Sequence, residues 1–259
     1  MSFNNLRALR ILQQINFWAF VPSIALLFYV NDWIYFVACI TSIVLITKVG
    51  ISIAQHRYFT HRSFETTAVK HKLLILLGAL STTGTVIQYA VTHRHHHAKS
   101  DTVDDIHSPN FLSGLRVWFQ FYPQENLDRL SIKNVKDLIR DPLIMLQHKY
   151  YLLIIAAYII LLAVVDPLLI LFCYVIPCGY TMLNVGLTSY TTHLKNIGYR
   201  NFDISDDSRN NTLVNWITLG EGLHNNHHAK PSSYTYAFTD YKYEWDFTAW
   251  LIKTFLMKS

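Results

Sequence analysis

Ten of the 13 histidines in this 259-residue chain fall into four groups, nine of them candidate ligands once His95 is set aside: His56-Arg-Tyr-Phe-Thr-His61, His93-Arg-His-His96-His97, His193 alone, and His224-Asn-Asn-His227-His228. Neutral imidazole is the commonest nitrogen ligand for transition metals. Nine such groups exceed what one tetrahedral site can use, and they suit two metal ions. An all-nitrogen donor set without thiolates favours iron, then zinc, then copper when a second metal lies nearby. Each group follows or lies between long apolar runs, so the expected site lies against a membrane.

Helix geometry sorts these histidines. At about 100° per residue, positions i, i+3 and i+4 share one face. His93, His96 and His97 meet that spacing, as do His224, His227 and His228. His95 lies about 200° from His93 and points away. His193 closes an apolar run with Ser189 one turn before it; taken alone, it fits a capping or interfacial role as well as a ligand. His56 and His61 are five apart, about 140° around a continuous α-helix, so they converge only if the helix ends or bends within 57–60. His71, His107 and His148 have no partner histidine and are expected at surface or interface positions. Asp101, Asp104, Asp105, Glu221 and Asp246 lie close enough in sequence to accept from outer ring nitrogens, with no pairing fixed.

The elements that must position these groups are apolar helices. Hydrophobic residues make up 51% of the chain and charged residues 15%, against roughly 25% charged in soluble domains. Four spans are expected, at about 15–30, 33–54, 150–165 and 168–192, joined by turns at Asn31-Asp32 and Asp166-Pro167. Lys48 is expected to mark the level where the second span emerges, its stem snorkelling to the headgroups. The third span is short for a ~20-residue crossing. Arg7 and Arg10 ahead of the first span resemble a signal-peptide flank, but no small-residue cleavage site follows, so a retained span is expected.

The segment 73–91 is apolar but interrupted by Gly78 and by 81–85. It is read as an interfacial helix that does not cross. Basic residues concentrate in the N-terminus, in 55–149 and in 193–259, which positive-inside reasoning places in the cytoplasm with every histidine group and both termini. The formal net charge of +5 then reflects basic loops, and nucleic acid is not an expected partner. Cys39, Cys173 and Cys178 lie in apolar runs and read as small buried hydrophobes. Without repeats or linkers, residues 1–259 read as one all-α integral membrane domain.

These motifs resemble the membrane-bound fatty acid desaturases, the acyl-CoA desaturase branch in particular. The resemblance runs from about Gly50 onward: Gly50-Ile-Ser-Ile-Ala-Gln-His56-Arg-Tyr-Phe-Thr-His61-Arg-Ser-Phe, then His93-Arg-His-His96-His97, the acidic stretch from Asp101 to His107-Ser-Pro, Ser208-Arg-Asn-Asn, and Gly220-Glu-Gly-Leu-His224-Asn-Asn-His227-His228 with Pro231 behind. It implies four transmembrane helices capped by a cytosolic helical domain holding two irons. The implied ligands are His56, His61, His93, His96, His97, His193, His224, His227 and His228. It also implies an O2-dependent, Δ9-like desaturation of a fatty acyl chain, carried as acyl-CoA, that introduces a cis double bond. Unactivated C–H bonds offer side chains no acid–base handle, which is why iron (Fe2+) and O2 are needed. With no haem domain fused, electrons are expected from a separate ferredoxin or cytochrome b5-type donor suited to a basic face.

The chain departs from the family pattern in places. Ser189 stands where the family commonly has an Asn reaching a metal through water, so Ser189 is the candidate for a water-mediated contact. Ile53 is bulkier than the family's usual residue and is expected to narrow the acyl tunnel. The segment Asn110–Trp118 only loosely echoes the family's aromatic stretch. The rival readings are a related di-iron hydroxylase or ketolase, an acyl-lipid desaturase, and a metal-binding membrane transporter. Transporters place ligands near the midplane of their spans, whereas these groups lie at helix ends and beyond. The absence of an ER retention signal leans towards a bacterial host.

Overall fold

The computed structural model describes residues 6–239 and 243–258; the Arg7 side chain of the basic flank lies outside that description. The chain is helical, and its extended pairing among the described residues is limited to isolated bridges joining Tyr199, Asn210 and Leu223. Its elements are α1 (Leu6–Val30), α2 (Trp33–Thr60), α3 (Ala68–Leu80), α4 (Val86–Lys99), α5 (Gly114–Trp118), α6 (Gln124–Asp128), α7 (Lys136–Ile139), α8 (Pro142–Lys149), α9 (Tyr151–Val165), α10 (Leu168–Thr191), α11 (Thr212–Thr218), α12 (His224–Ala229) and α13 (Phe247–Leu256). They divide into two compact units. One comprises residues up to Gln55, His71–Tyr89 and Asp137–Leu183; the other comprises His56–Lys70, Ala90–Lys136 and the chain from Asn184 onward.

The first unit contains the apolar helices. Residues Ala8–Val30, Trp33–Thr60 and Leu168–Thr191 are each long and apolar enough to cross a bilayer. Helix α9 has 15 residues and meets α8 at a 71° bend, so the two pass that test only as a broken pair. Large side chains face outward here: Tyr29 is 86% exposed and Val164 79%, with Trp18, Trp33, Ile40, Leu153 and Ile160 also exposed. Leaving such a side chain in water forgoes about 1.5–3 kcal/mol each, so this surface is built for lipid.

The interior of this unit is packed by Leu27, Cys39, Ile46, Ala79, Tyr151, Ile155, Phe172, Tyr174 and their neighbours. Both short turns are built as their sequences dictate. Asn31 takes φ 51° and Asp32 caps α2 by accepting from the Ile34 N–H at 2.9 Å. Asp166 accepts from the Leu168 N–H at 2.9 Å and from the Tyr35 hydroxyl. Pro177 sits inside α10 and has no N–H for the Cys173 carbonyl; the Tyr158 hydroxyl donates to that oxygen at 3.2 Å. Close approach fixes two glycines. A Cβ on Gly50 would lie 2.6 Å from the Leu77 carbonyl oxygen, and one on Gly179 would lie 2.6 Å from the Phe20 Cβ.

Three sequence expectations need correction in this unit. Helix α2 runs unbroken to Thr60, beyond the expected end near Ala54. Lys48 does not snorkel: it is fully buried, with its ammonium 5.6 Å from the centre of the Tyr180 ring. Residues 73–91 do not form one helix either. The chain breaks at 81–85, where Thr82 (φ 56°) and Gly84 (φ 103°) adopt left-handed conformations. Buried Gln55 satisfies the break: its amide donates to the Gly78 carbonyl at 2.7 Å and the Gly84 carbonyl at 2.8 Å, and it accepts from the Thr83 hydroxyl at 2.5 Å. Ile53, one helical turn region earlier, is fully buried.

Gln55→Leu keeps the bulk and removes every one of these bonds. The Gly78 carbonyl keeps the Ser81 hydroxyl at 3.0 Å, but the buried Gly84 carbonyl loses its Gln55 donor at a cost of about 1–3 kcal/mol, so thermal unfolding in detergent should show a clear loss of stability. An unchanged midpoint would mean that the break is held by something other than Gln55.

Candidate metal centre

The nine histidines belong to the second unit, and each segment that carries them is held by a local device. At the end of α2 the His61 N–H donates to the His56 carbonyl, five residues back, at 3.1 Å. An i→i+5 bond widens the turn and stacks residues five apart on one face. His56 and His61 therefore meet, with ring centres 5.0 Å apart, where the helix ends at Thr60, within the expected 57–60. Arg62, at φ 53°, then stops the helix, and the Ser63 N–H turns back to the Arg57 carbonyl at 3.0 Å. Arg94 of α4 donates to the Thr60 and Phe59 carbonyls at 2.8 and 2.9 Å, so a cation covers the last carbonyls of α2.

Helix α12 has six residues and no side-chain cap, so it cannot hold itself. The two asparagines between its histidines do that work. Asn226 donates to the Tyr236 carbonyl (2.7 Å) and to Glu244 (3.0 Å), accepts from Asn210 Nδ2 (2.8 Å), and its N–H donates to Asn210 Oδ1 (3.1 Å). Asn225 accepts from the N–H groups of Asn201 and Phe202, both at 2.9 Å. Gly222 enters α12 so close to α11 that a Cβ would lie 2.2 Å from the Asn215 nitrogen. His193 follows α10 and is fully buried, while Ser189 sits partly buried in the last turn of that helix.

Eight of the nine histidines form two groups of four: His56, His61, His93 and His227 in one, His96, His193, His224 and His228 in the other. Within each group, one ring nitrogen per residue lies within 4.8 Å of the rest. His97 lies beside both groups, its Nε2 being 3.1 Å from that of His93 and 2.9 Å from that of His227, with its ring stacked on His228. The two HxxHH triads do not each serve one group. The i,i+4 pair of α4 (His93, His97) joins His227, and the i,i+4 pair of α12 (His224, His228) joins His96. Each helix thus gives its i+3 histidine to the group built by the other.

The outer ring nitrogens explain which nitrogens face inward. Nδ1 of His56 meets Glu221 (2.9 Å), that of His96 meets Asp105 (2.9 Å), that of His193 meets Asp101 (2.7 Å), and that of His228 meets Asp206 (2.8 Å). A carboxylate there fixes the proton on Nδ1 and leaves an unprotonated Nε2 aimed into the group. Facing nitrogens then stand 3.1 Å apart in His56–His227, 3.0 Å in His193–His224 and 3.1 Å in His224–His228. Nε2 of His61 and of His96 are buried with no hydrogen-bond partner. Two ligands at right angles, each about 2.1 Å from an ion, are separated by about 3.0 Å. The donor set fits two metal ions.

Electrostatics agree with that fit. Burial, then the neighbouring histidines, push His61, His93, His97, His224, His227 and His228 well below the usual histidine range, with Arg94 and Arg57 adding to the effect at His61. Neutral imidazole is the form that binds metal. Burial works to raise Asp101, but the hydrogen bond and charge of His193, with the Ser108 hydroxyl, outweigh it and hold that carboxyl at about 2. Asp105 is held below its usual range against burial by His96 and His107, and His96 is raised against burial by Asp105.

The remaining residues fall as follows. His95 points away, its Nε2 donating to the Asp104 carbonyl at 2.9 Å. His71 pairs with Asp141 (2.9 Å) and His148 with the Thr85 hydroxyl (2.8 Å). His107 is not a surface residue: it is buried and stacks on His96 with ring centres 3.9 Å apart, and burial drives it down to about 3. Asp104 faces Arg129 at 3.5 Å rather than a histidine. Asp246 accepts from Arg57 at 2.8 Å. Sequence reasoning missed Asp206, which lies in an irregular loop where no periodicity could point at His228. It also missed the boxes' arginines and asparagines as the groups that hold the histidines in place.

A fatty acid desaturase family model matches residues 12–247. The chain belongs to the fatty acid desaturase family. Its relatives include the sn-1 stearoyl-lipid 9-desaturase of Anabaena variabilis, 34% identical over 189 residues, covering 70% of this chain and 66% of that protein. The sn-2 palmitoyl-lipid 9-desaturase of Nostoc sp. is 33% identical, covering 72% and 67%. Stearoyl-CoA desaturase 2 of Mus musculus is 28% identical over 256 residues, covering 90% and 65%. This desaturase-family chain therefore spans about two thirds or slightly less of the length of these relatives.

The geometry makes a prediction about the histidines. His96→Ala and His227→Ala, taken from different groups, should each lower the transition metal bound by the purified protein, while His95→Ala should leave it unchanged. Equal losses at His95 would contradict the ring orientations described above.

Proposed function

We propose that this chain is an oxygen-dependent fatty acyl desaturase whose two irons are held by His56, His61, His93, His96, His97, His193, His224, His227 and His228. The reading is carried by one observation: two groups of four histidines with carboxylates on their outer nitrogens, in a chain of the desaturase family. Bound iron would supply the redox chemistry by which O2 becomes two waters, with two hydrogens from adjacent methylenes, two electrons from the donor and two protons, leaving a cis double bond. The residues of this chain hold the nitrogens in place beforehand, so that little reorganisation is left for the reaction itself. Ser189 is the candidate for a contact through water in place of a protein ligand. Electrons come from a ferredoxin or cytochrome b5-type protein.

Residues 1–259 act as one domain in this reading, with four spans and a cytosolic histidine-bearing part. Helix α9 is the short span, at about 22 Å against a hydrocarbon core of about 30 Å. Its bend from α8 means that the shortfall is met by local thinning of the bilayer or by its flanking Lys149 and Tyr150, rather than by a straight extension. The basic loops put both termini and the centre in the cytoplasm.

The acyl carrier separates two readings. An acyl-CoA substrate follows from the sequence resemblance. An acyl-lipid substrate is favoured by the higher identity to two lipid desaturases, 34% and 33%, than to the stearoyl-CoA enzyme at 28%. The acyl profile of a host expressing the intact chain, beside His227→Ala, tests the proposal. New monounsaturated chains from the intact protein alone are expected, and hydroxylated chains in their place would overturn it. Membranes supplied with stearoyl-CoA or with stearoyl-lipid, together with a reduced donor, then separate the carriers.

A further inference from the structure

The two histidine groups differ in what stands behind them. Around His96, His193, His224 and His228, three outer nitrogens meet aspartates: Asp105, Asp101 and Asp206. The other partners of those carboxylates are neutral. Asp101 accepts from the Ser108 hydroxyl, the Asp207 N–H and, at 3.4 Å, the Asn110 amide. Asp105 accepts from the N–H groups of Asp101 and His107, and Asp206 from the N–H and hydroxyl of Ser208. Three carboxylates thus stand one imidazole away from this group, and among the described residues no Lys or Arg bonds any of them.

The group of His56, His61, His93 and His227 has a different backing. Its carboxylate, Glu221 on His56, is shared with the guanidinium of Arg57 at 2.9 Å, and Arg57 also holds Asp246 at 2.8 Å. Arg94 stands on the carbonyls beside His61. The carboxylate behind this position is thus shared with a guanidinium, and a second guanidinium stands beside His61, whereas the three behind the other position bond only neutral donors and imidazoles.

We infer that the two metal positions are unequal: the one held by His96, His193, His224 and His228 binds a divalent cation more tightly than the one held by His56, His61, His93 and His227. This rests on the two-metal reading above. His97 adds a fifth imidazole beside the second position, but that donor is neutral and its ring also stacks on His228. Uncompensated carboxylates behind the ligands act on the full charge of the ion and raise the basicity of the imidazoles they touch. Asp101, Asp105 and Asp206 are positioning residues that set this order.

The test is anaerobic titration of the metal-free full-length protein in detergent with Fe2+ alone, with bound iron read by equilibrium dialysis. Two classes of site are expected. Asp206→Asn should weaken the tighter class by about 10–100-fold and leave the looser class in place. Glu221→Gln should weaken the looser class. Asp105→Asn gives a second reading of the tight class should Asp206→Asn fail to fold, with helical content checked by circular dichroism. Two equivalent sites in the unsubstituted protein, or an effect of Asp206→Asn on the looser class, would overturn the inference and leave the two-metal reading intact. Binding of a single iron or none would overturn that reading itself.

Discussion

Unprotonated imidazole nitrogens held about 3 Å apart in a buried setting repel each other unless a cation lies between them. That constraint organises the second unit of this protein. Nε2 atoms of His193 and His224 face each other at 3.0 Å, and those of His56 and His227 at 3.1 Å. Hydrogen bonding between rings cannot satisfy them all, since Nε2 of His224 faces both His193 and His228 and could donate a proton to only one. Burial keeps the imidazoles neutral by making their charged forms costly, and carboxylates on the outer nitrogens fix which ring nitrogen carries the proton. The remaining features of this unit maintain that arrangement. Arg94 covers the end of α2, Arg57 ties Glu221 to Asp246, and Asn226 fixes a helix too short to fold alone.

The exchange of i+3 histidines between α4 and α12 is the economical solution for a double site. One helix turn can aim i and i+4 at a single ion, while i+3 is offset around the axis towards a neighbour. Two HxxHH helices that contribute in opposite senses build two groups of four once α2 and His193 add their own rings. The cost is strict placement, because each helix serves both groups. This explains why polar residues that bond Asn226, such as Asn210 and Glu244, are buried around α12.

Much of this could be read from the residues, and the failures have physical causes. The phases of His93, His96, His97, His224, His227 and His228, and the outward turn of His95, follow from the 3.6-residue period. The partition between groups does not, since the period fixes a face and not the neighbour that the face meets. His56 and His61 converge through an i→i+5 turn that α-helical phasing excludes. His107 looked isolated because its partners, His96 and Asp105, are reached by a loop that folds back. Lys48 was expected at the headgroups because burial of an ammonium is costly; the ring of Tyr180 on a neighbouring helix was not visible in the sequence. The break at 81–85 was marked by Gly84 and four hydroxyl residues, but Gln55, which satisfies it, lies about 30 residues away along the chain.

The central claim is that these histidines surround two ions. Anomalous diffraction at the iron edge, from crystals of the iron-loaded full chain, tests it most directly. Two peaks are expected, one among His56, His61, His93 and His227 and the other among His96, His193, His224 and His228. A single peak, or peaks elsewhere with the facing nitrogens still about 3 Å apart, would contradict the account.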